Sequence, residues 1–392
     1  MQTKTLDSLL GREAAQHLVD LRRALHRVPE VGLDCPQTLA LIEEELDRLG
    51  FTERRRFAGG TAVLVRGTRP GRALGFRADI DALPIAEETG VPYQSTVPNV
   101  AHLCGHDGHA AGLLAFAHWL RQNPDFPGSA LLIFQPGEEG FAGAKHMMDA
   151  GLFEVYPVEE VYAVHGAPTT PAGALTFVRG AMTASVDTVH ITVEGRGGHG
   201  ARPHQTVDPI PAACQLVLAL QTVVSRNVNP LDSAVFSVCA LSAGDHLAPS
   251  VVPPRVEVTG TVRSQSPVVR ELLAKRCAEI CEGIGLQTGT RVTLDYQYLY
   301  PPQINDKTLF DALLPALQDA FGADGVDTET PGGMGGEDFA FMGEKIPSLY
   351  IRVGLGDEHH QALLHNPKFD FNDAGLAHAL VVFRTILEHR AV

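Results

Sequence analysis

The sequence is poor in the residues that would place it in a membrane, on nucleic acid or in an oxidising compartment. It has one tryptophan and six cysteines in 392 residues, and aromatic residues make up only 6%. Cysteines this sparse, lying mostly in apolar runs, suit a reducing compartment better than a disulfide framework, so the cytoplasm is the expected location. Basic residues are also outnumbered: 31 Lys and Arg stand against 46 Asp and Glu, a net charge of −15. That field repels phosphate backbones and anionic lipid, so neither nucleic acid nor a membrane is an expected partner. The least polar long stretch, "PIPAACQLVLALQTVVS", is too short for a bilayer span and carries two glutamines and two prolines. The N-terminal "MQTKTLDSLLGREAAQHLVDLRRALHRVPE" is charged throughout and reads as an amphipathic helix, with no secretory apolar segment.

What remains is a chain with 44% hydrophobic and 20% charged residues, typical of a globular protein. Its length predicts two domains. The first part alternates strand signals ("TAVLVRG", "ALGFRAD", "ALLIFQP", "VEEVYAVH") with helical ones ("GHAAGLLAFAHWLRQ", "AGAKHMMDAG"). Such alternation predicts an α/β fold with a mostly parallel sheet covered by helices. Between residues 184 and 296 the order changes to β-α-β-β-α-β, a ferredoxin-like α+β unit inserted into the first domain. Residues 1–183 and 297–392 then form one discontinuous domain, with further helices at "LFDALLPALQDAFG", "GEDFAFMGE" and about 373–389, and a strand at "SLYIRVG".

The chemistry concentrates on four separate segments. Cys104 and His106 lie in "HLCGHDGH", just before a helix; Glu138 and Glu139 follow the strand "ALLIFQP"; His165 ends "VEEVYAVH"; His365 lies in "LLHNPKF". In open α/β sheets, ligands bind beyond the carboxyl ends of the strands, where these segments would meet. Any one of them alone is weak: a Cys-x-His pair is usually incidental, and a histidine after an apolar strand usually packs in the core. Together they make a metal centre the better reading. Thiolate, imidazole and carboxylate suit a transition ion such as Zn²⁺, Mn²⁺, Co²⁺ or Ni²⁺. Five ligands exceed one tetrahedral shell, so two divalent ions sharing a bridge are expected. Of two adjacent glutamates, one is expected to bind metal and the other to serve as general base.

Six ordered stretches, "FRADIDALPI", "HLCGHDGHAAG", "FQPGEEGFAGA", "GRGGHGARPH", "GGEDFAFM" and "LHNPKFDFND", span nearly the whole chain. In them the sequence resembles the M20 metallopeptidase family, and within it the amidohydrolase branch of hippurate hydrolases, indole-acetyl-amino-acid hydrolases and aminoacylases. The resemblance implies hydrolysis of the amide bond of an N-acyl or N-aroyl amino acid. It also implies roles: Cys104 bridges the metals, Glu139 and His365 complete one site, His106 and His165 the other, and Glu138 is the base. Asp79 would orient a ligand from behind. The inserted domain would be a lid through which a homodimer forms, with pairing into tetramers left open. His199, of "GGHGA", would reach the neighbouring subunit's substrate carbonyl, and Arg263 would grip the substrate carboxylate. Relatives usually carry Asn where this chain has Ser250, which changes the hydrogen bonding available to substrate there. N-acetyl-diaminopimelate, aminobenzoyl-glutamate and peptide substrates of a dipeptidase or carboxypeptidase are alternatives within the same family.

Two readings of other kinds compete. "GRGGHG" fits a dinucleotide-binding glycine pattern and would make the protein an NAD-dependent oxidoreductase, but three prolines follow before any helix begins. A binding protein with a structural metal would have no use for the second glutamate. Cys277 and Cys281 are expected in the core; His102, His109, His118 and His146 could support the ligands from behind, but surface or packing roles are the default expectation.

Overall fold

The computed structural model describes residues 5–392. The chain divides into two compact units. The larger takes in the described residues up to Gly180, then Ile304–Pro331 and Asp338–Val392. The smaller is Ala181–Gln303 with Gly332–Glu337, so it is wider than residues 184–296 and gathers a short segment from late in the chain.

An eight-stranded sheet forms the larger unit. At its centre, Arg69–Asp79 lies between Pro127–Gln135 and Glu160–Pro171 and runs parallel to both. Ser348–Gly356 continues the parallel run beyond Glu160–Pro171. Gly60–Arg66 joins the other flank antiparallel, and Arg54–Phe57 pairs with it at the edge. The chain thus leaves Arg69–Asp79, adds one neighbour on one side and the next on the other. That reversal is where α/β sheets open a binding crevice.

The helix His106–Gln122 packs against this sheet and against Ala374–Arg390 and Arg12–Arg27. All but its last two residues are buried, which is why its apolar residues show no clear stripe. Burying Leu113, Leu114 and Phe116 here stabilises the unit by roughly 1.5–3 kcal/mol each.

The sequence expectations are met in the architecture and adjusted at its ends. The N-terminal helical stretch is two helices, Leu6–Leu10 and Arg12–Arg27, broken at Gly11, whose φ of +86° is outside the helical range; residues 1–4 of the expected helix lie outside the described residues. "GEDFAFMGE" supplies only the single turn Ala340–Gly343. The expected strand "VEEVYAVH" continues through Pro171, because Ser348–Gly356 pairs with it past the point where the other neighbours stop. His165 therefore lies within this strand, though level with the rim: its neighbour's pairing ends at Arg77–Ala163, two residues short of Asp79 and His165.

The smaller unit has four antiparallel strands in the order Arg291–Tyr300, Val186–Glu194, Arg255–Ser264, Ala234–Ala243, with helices Pro209–Asn227 and Pro267–Thr288. Its own core includes Val189, Ile191, Leu216, Leu220, Val258 and Leu273, together with Cys277 and Cys281. The glycine loop after Val186–Glu194 leads to the two-residue strand Gly198–His199 and a 3-10 turn at Pro203–Gln205, not directly to a helix. Among the described residues, no helix is long and apolar enough to cross a membrane.

Candidate metal centre

At the carboxyl ends of the central strands, three short turns and the strand Glu160–Pro171 bring the candidate ligands together. Gly105 separates Cys104 from His106 and adopts φ +90°; a Cβ there would meet Phe371 at 3.0 Å. The left-handed turn lets the chain present a thiol and then begin the helix with His106. Cys104, His106 and Glu139 each bring one ligand atom to within 4.8 Å of the others. Cys104 Sγ also lies 3.6 Å from His165 Nε2. His365 Nε2 lies 3.1 Å from Glu139 Oε1. Its backbone has φ +65°, an uncommon conformation for a residue other than glycine, and its N–H donates to the Leu103 carbonyl at 2.7 Å. That bond ties the His365 loop to the residue preceding Cys104. Cys104, His106, Glu139, His165 and His365 are thus brought to one place, from segments up to 261 residues apart in numbering (365 minus 104).

Two acids at the end of the strand Arg69–Asp79, Asp79 and Asp81, order this cluster. Asp79 is fully buried; it accepts from Arg77 Nη1 at 2.8 Å and from His109 Nδ1 at 2.6 Å. His109 Nε2 in turn accepts the Gly166 backbone N–H at 2.8 Å, so both of its nitrogens are engaged. With both nitrogens engaged by Asp79 and Gly166, His109 stands behind the cluster, although it lies near His106 and His165. Asp81 is also buried, and its two oxygens accept the backbone N–H groups of Glu138, at 3.0 Å, and Glu139, at 3.1 Å. One carboxylate therefore sets the turn carrying both glutamates, and it lies 3.4 Å from His106 Nδ1 as well. Asp81 is absent from the sequence expectations, and His109 enters them as a support for the ligands only behind a default surface or packing role. The available signals were the second acid of "RADID" and the helical i, i+3 spacing of His106 and His109.

The electrostatics fit divalent cations. Burial opposes a charged imidazole, yet Asp79 holds the His106 pKa well above its usual value. Neither ring nitrogen of this buried residue makes a hydrogen bond of acceptable geometry among the described residues. His165 shifts the other way: burial, then the neighbouring His109, push it well below the usual range. Its Nδ1–H donates to the Gly166 carbonyl at 2.8 Å, which leaves the Nε2 lone pair facing Cys104. Burial raises the Cys104 thiol pKa, outweighing the helix N-terminus beside it; a bound cation would reverse that shift. Hydrogen bonding to Cys104 and Glu139 raises His365 to about 10. Buried acids, a thiol and imidazoles gathered in this way are the donor types that suit a transition-metal ion.

The remaining candidates belong to the smaller unit. His199 is exposed, pairs in register with Val251, and accepts the Ala201 N–H at Nδ1, 3.2 Å away. Ser250 is brought beside it, its carbonyl accepting the Gly200 N–H at 2.7 Å. Arg263 is half-buried on Arg255–Ser264; its Nη1 donates to the Val262 carbonyl at 3.0 Å and to Thr261 Oγ1. Within this unit the structure pairs Ser250 with the His199 loop and holds Arg263 on a different strand.

Fold and cluster together define a class: an α/β protein whose sheet rim gathers thiol, imidazole and carboxylate groups suited to divalent cations. The chain belongs to peptidase family M20/M25/M40, whose model matches residues 75–389. It is 36% identical over 361 residues to hippurate hydrolase of Campylobacter jejuni, covering 92% of each chain. It is 34% identical to N-acetyldiaminopimelate deacetylase of Exiguobacterium sibiricum, covering 90% of this chain and 93% of that one. Among solved structures it matches the Bacillus subtilis YXEP protein, described as a dinuclear metal-binding peptidase of the M20 family. The TM-score is 0.84 at 29% identity, covering 96% of this chain and 98% of that one.

Proposed function

We propose that this chain is a two-metal amidohydrolase that releases a free amino acid from an N-acyl or N-aroyl amino acid, hippurate being the model substrate. The observation that carries this reading is the position of Cys104, grouped with His106 and Glu139 within 4.8 Å and 3.6 Å from His165. A thiolate so placed can serve both halves of a pair of ions. Glu139 and His365 would hold one ion, His106 and His165 the other. Asp79 would act through Arg77 and His109 to keep the rim in place. The names of two relatives, a hippurate hydrolase and an N-acetyldiaminopimelate deacetylase, support an N-acyl amino acid as substrate.

When bound, zinc, manganese, cobalt or nickel would supply Lewis acidity toward water and the amide carbonyl. Glu138 takes the proton from the attacking water and returns it to the departing amine nitrogen. Its backbone is held by Asp81, so the base keeps its position relative to Glu139 through the cycle. His199, from the partner of a homodimer built through the smaller unit, polarises the carbonyl. Arg263 anchors the free carboxylate of the amino acid, and Ser250, with a hydroxyl in place of an amide, shapes acyl preference.

The test is a substrate panel on protein reloaded separately with each of the four metals. The panel holds hippurate, N-acetyl amino acids, N-acetyldiaminopimelate, indole-acetyl amino acids, aminobenzoyl-glutamate and unblocked dipeptides. The expected result is amino acid released from an N-acyl substrate and little from the unblocked dipeptides. Cleavage of the dipeptides alone would overturn the acyl reading in favour of a dipeptidase.

A further inference from the structure

Away from the sheet rim, three helices of the larger unit bring a second set of metal-competent groups together. His17 lies on Arg12–Arg27, Glu45 on Pro36–Arg48 and His118 on His106–Gln122. The Glu45 carboxylate is buried, and each of its oxygens faces one imidazole. Oε2 is 2.7 Å from His17 Nε2, and Oε1 is 2.5 Å from His118 Nε2. One donor atom from each of the three residues lies within 4.8 Å of the others. Two imidazoles and a carboxylate are the ligand set of zinc sites with three protein donors, the fourth position being left to water.

We propose that His17, Glu45 and His118 form a zinc site separate from the rim cluster, and that Arg48 competes with zinc for it. The Arg48 guanidinium donates to Glu45 through Nε at 2.9 Å and Nη2 at 2.7 Å, and Nη2 is 3.1 Å from His118 Nε2. A cation already neutralises the carboxylate, so zinc must displace it. Three features make that exchange accessible. The Arg48 side chain is 51% exposed and can swing outward, whereas Glu45 is 4% exposed and stays. Glu13, one helical turn before His17, already acts electrostatically on Arg48 and offers it a second partner. His17 is 41% exposed, giving an ion a path from solvent to the two buried ligands.

An ion-pair clamp between the helices would use the same residues and be indifferent to zinc. A metal site would not be. Because the three ligands come from three helices, binding would brace the packing of Arg12–Arg27 and Pro36–Arg48 on His106–Gln122. It would thereby raise the thermal unfolding midpoint by mass action.

The experiment uses the full chain with its rim site loaded and zinc titrated beyond that, comparing the unsubstituted protein with His17→Ala and Arg48→Gln. His17 is half-exposed, so its loss leaves the core intact. Bound zinc is measured by equilibrium dialysis and elemental analysis, alongside the unfolding midpoint. The unsubstituted protein is expected to hold one zinc per chain more than His17→Ala and to gain thermal stability from it. Arg48→Gln, which removes the competing charge, is expected to bind that extra ion about twofold to fivefold more tightly. Equal uptake by the unsubstituted protein and His17→Ala, or weaker uptake by Arg48→Gln, would overturn the proposal. The difference between variants counts only this site, so it stands whatever number of ions the rim cluster takes.

Discussion

Replacing Glu138 by alanine lowers turnover by about 10²- to 10⁴-fold, the usual contribution of a general base, while metal content stays at the unsubstituted level. The two halves of this expectation come from different atoms. Glu138 and Glu139 are adjacent in the chain, and Asp81 fixes both through their backbone N–H groups. Only Glu139 joins the close group with Cys104 and His106 and lies against His365. On the proposed roles, removing the Glu138 carboxylate would remove the proton acceptor and spare Cys104, His106 and Glu139. The backbone bond to Asp81 survives the substitution, so the turn keeps its shape. Parallel measurement of kcat and metal per chain decides it: activity near the unsubstituted value would mean another group carries the proton, and loss of metal would make Glu138 a ligand.

Replacing Cys104 by alanine has the opposite signature, losing metal and rate together. The thiol lies near members of both proposed pairs, Glu139 of one and His106 and His165 of the other. A ligand shared by two ions cannot be removed without weakening both. Burial already disfavours the thiolate, so on the proposed roles its charge would depend on bound cations and their binding on it. The helix His106–Gln122 and the Gly105 turn are preserved by alanine, so the fold should remain. Metal content by elemental analysis, with circular dichroism to confirm the helix content, provides the check. Unchanged metal in a folded Cys104→Ala protein would remove this residue from the site.

The fold was legible because alternation of short apolar runs with helical segments has few three-dimensional solutions, and the β-α-β-β-α-β stretch has fewer still. The candidate ligands were legible for a related reason. Cys104, Glu139 and His365 each lie on a turn or loop, where chemically expensive groups are rarely needed for packing alone. Residues acting through a second layer were not. Asp81 reads in sequence as a turn acid, and its importance arises only when Glu138 and Glu139, 57 and 58 positions away, present their N–H groups to it. His109 looks like one more histidine on an apolar helix until Asp79 and Gly166 take up both its nitrogens. The continuation of the strand past His165 was hidden for the same cause: the strand that pairs with it there, Ser348–Gly356, comes nearly two hundred residues later.

The strand rim carries the whole account, which reduces to one claim about where cations sit. Crystals grown with manganese or zinc in excess, with anomalous scattering measured at the metal's absorption edge, address it directly. The account predicts two peaks separated by about 3.5–4 Å, with Cys104 Sγ touching both, Glu139 and His365 on one and His106 and His165 on the other. A single peak, or peaks that leave Cys104 without a metal neighbour, would contradict it.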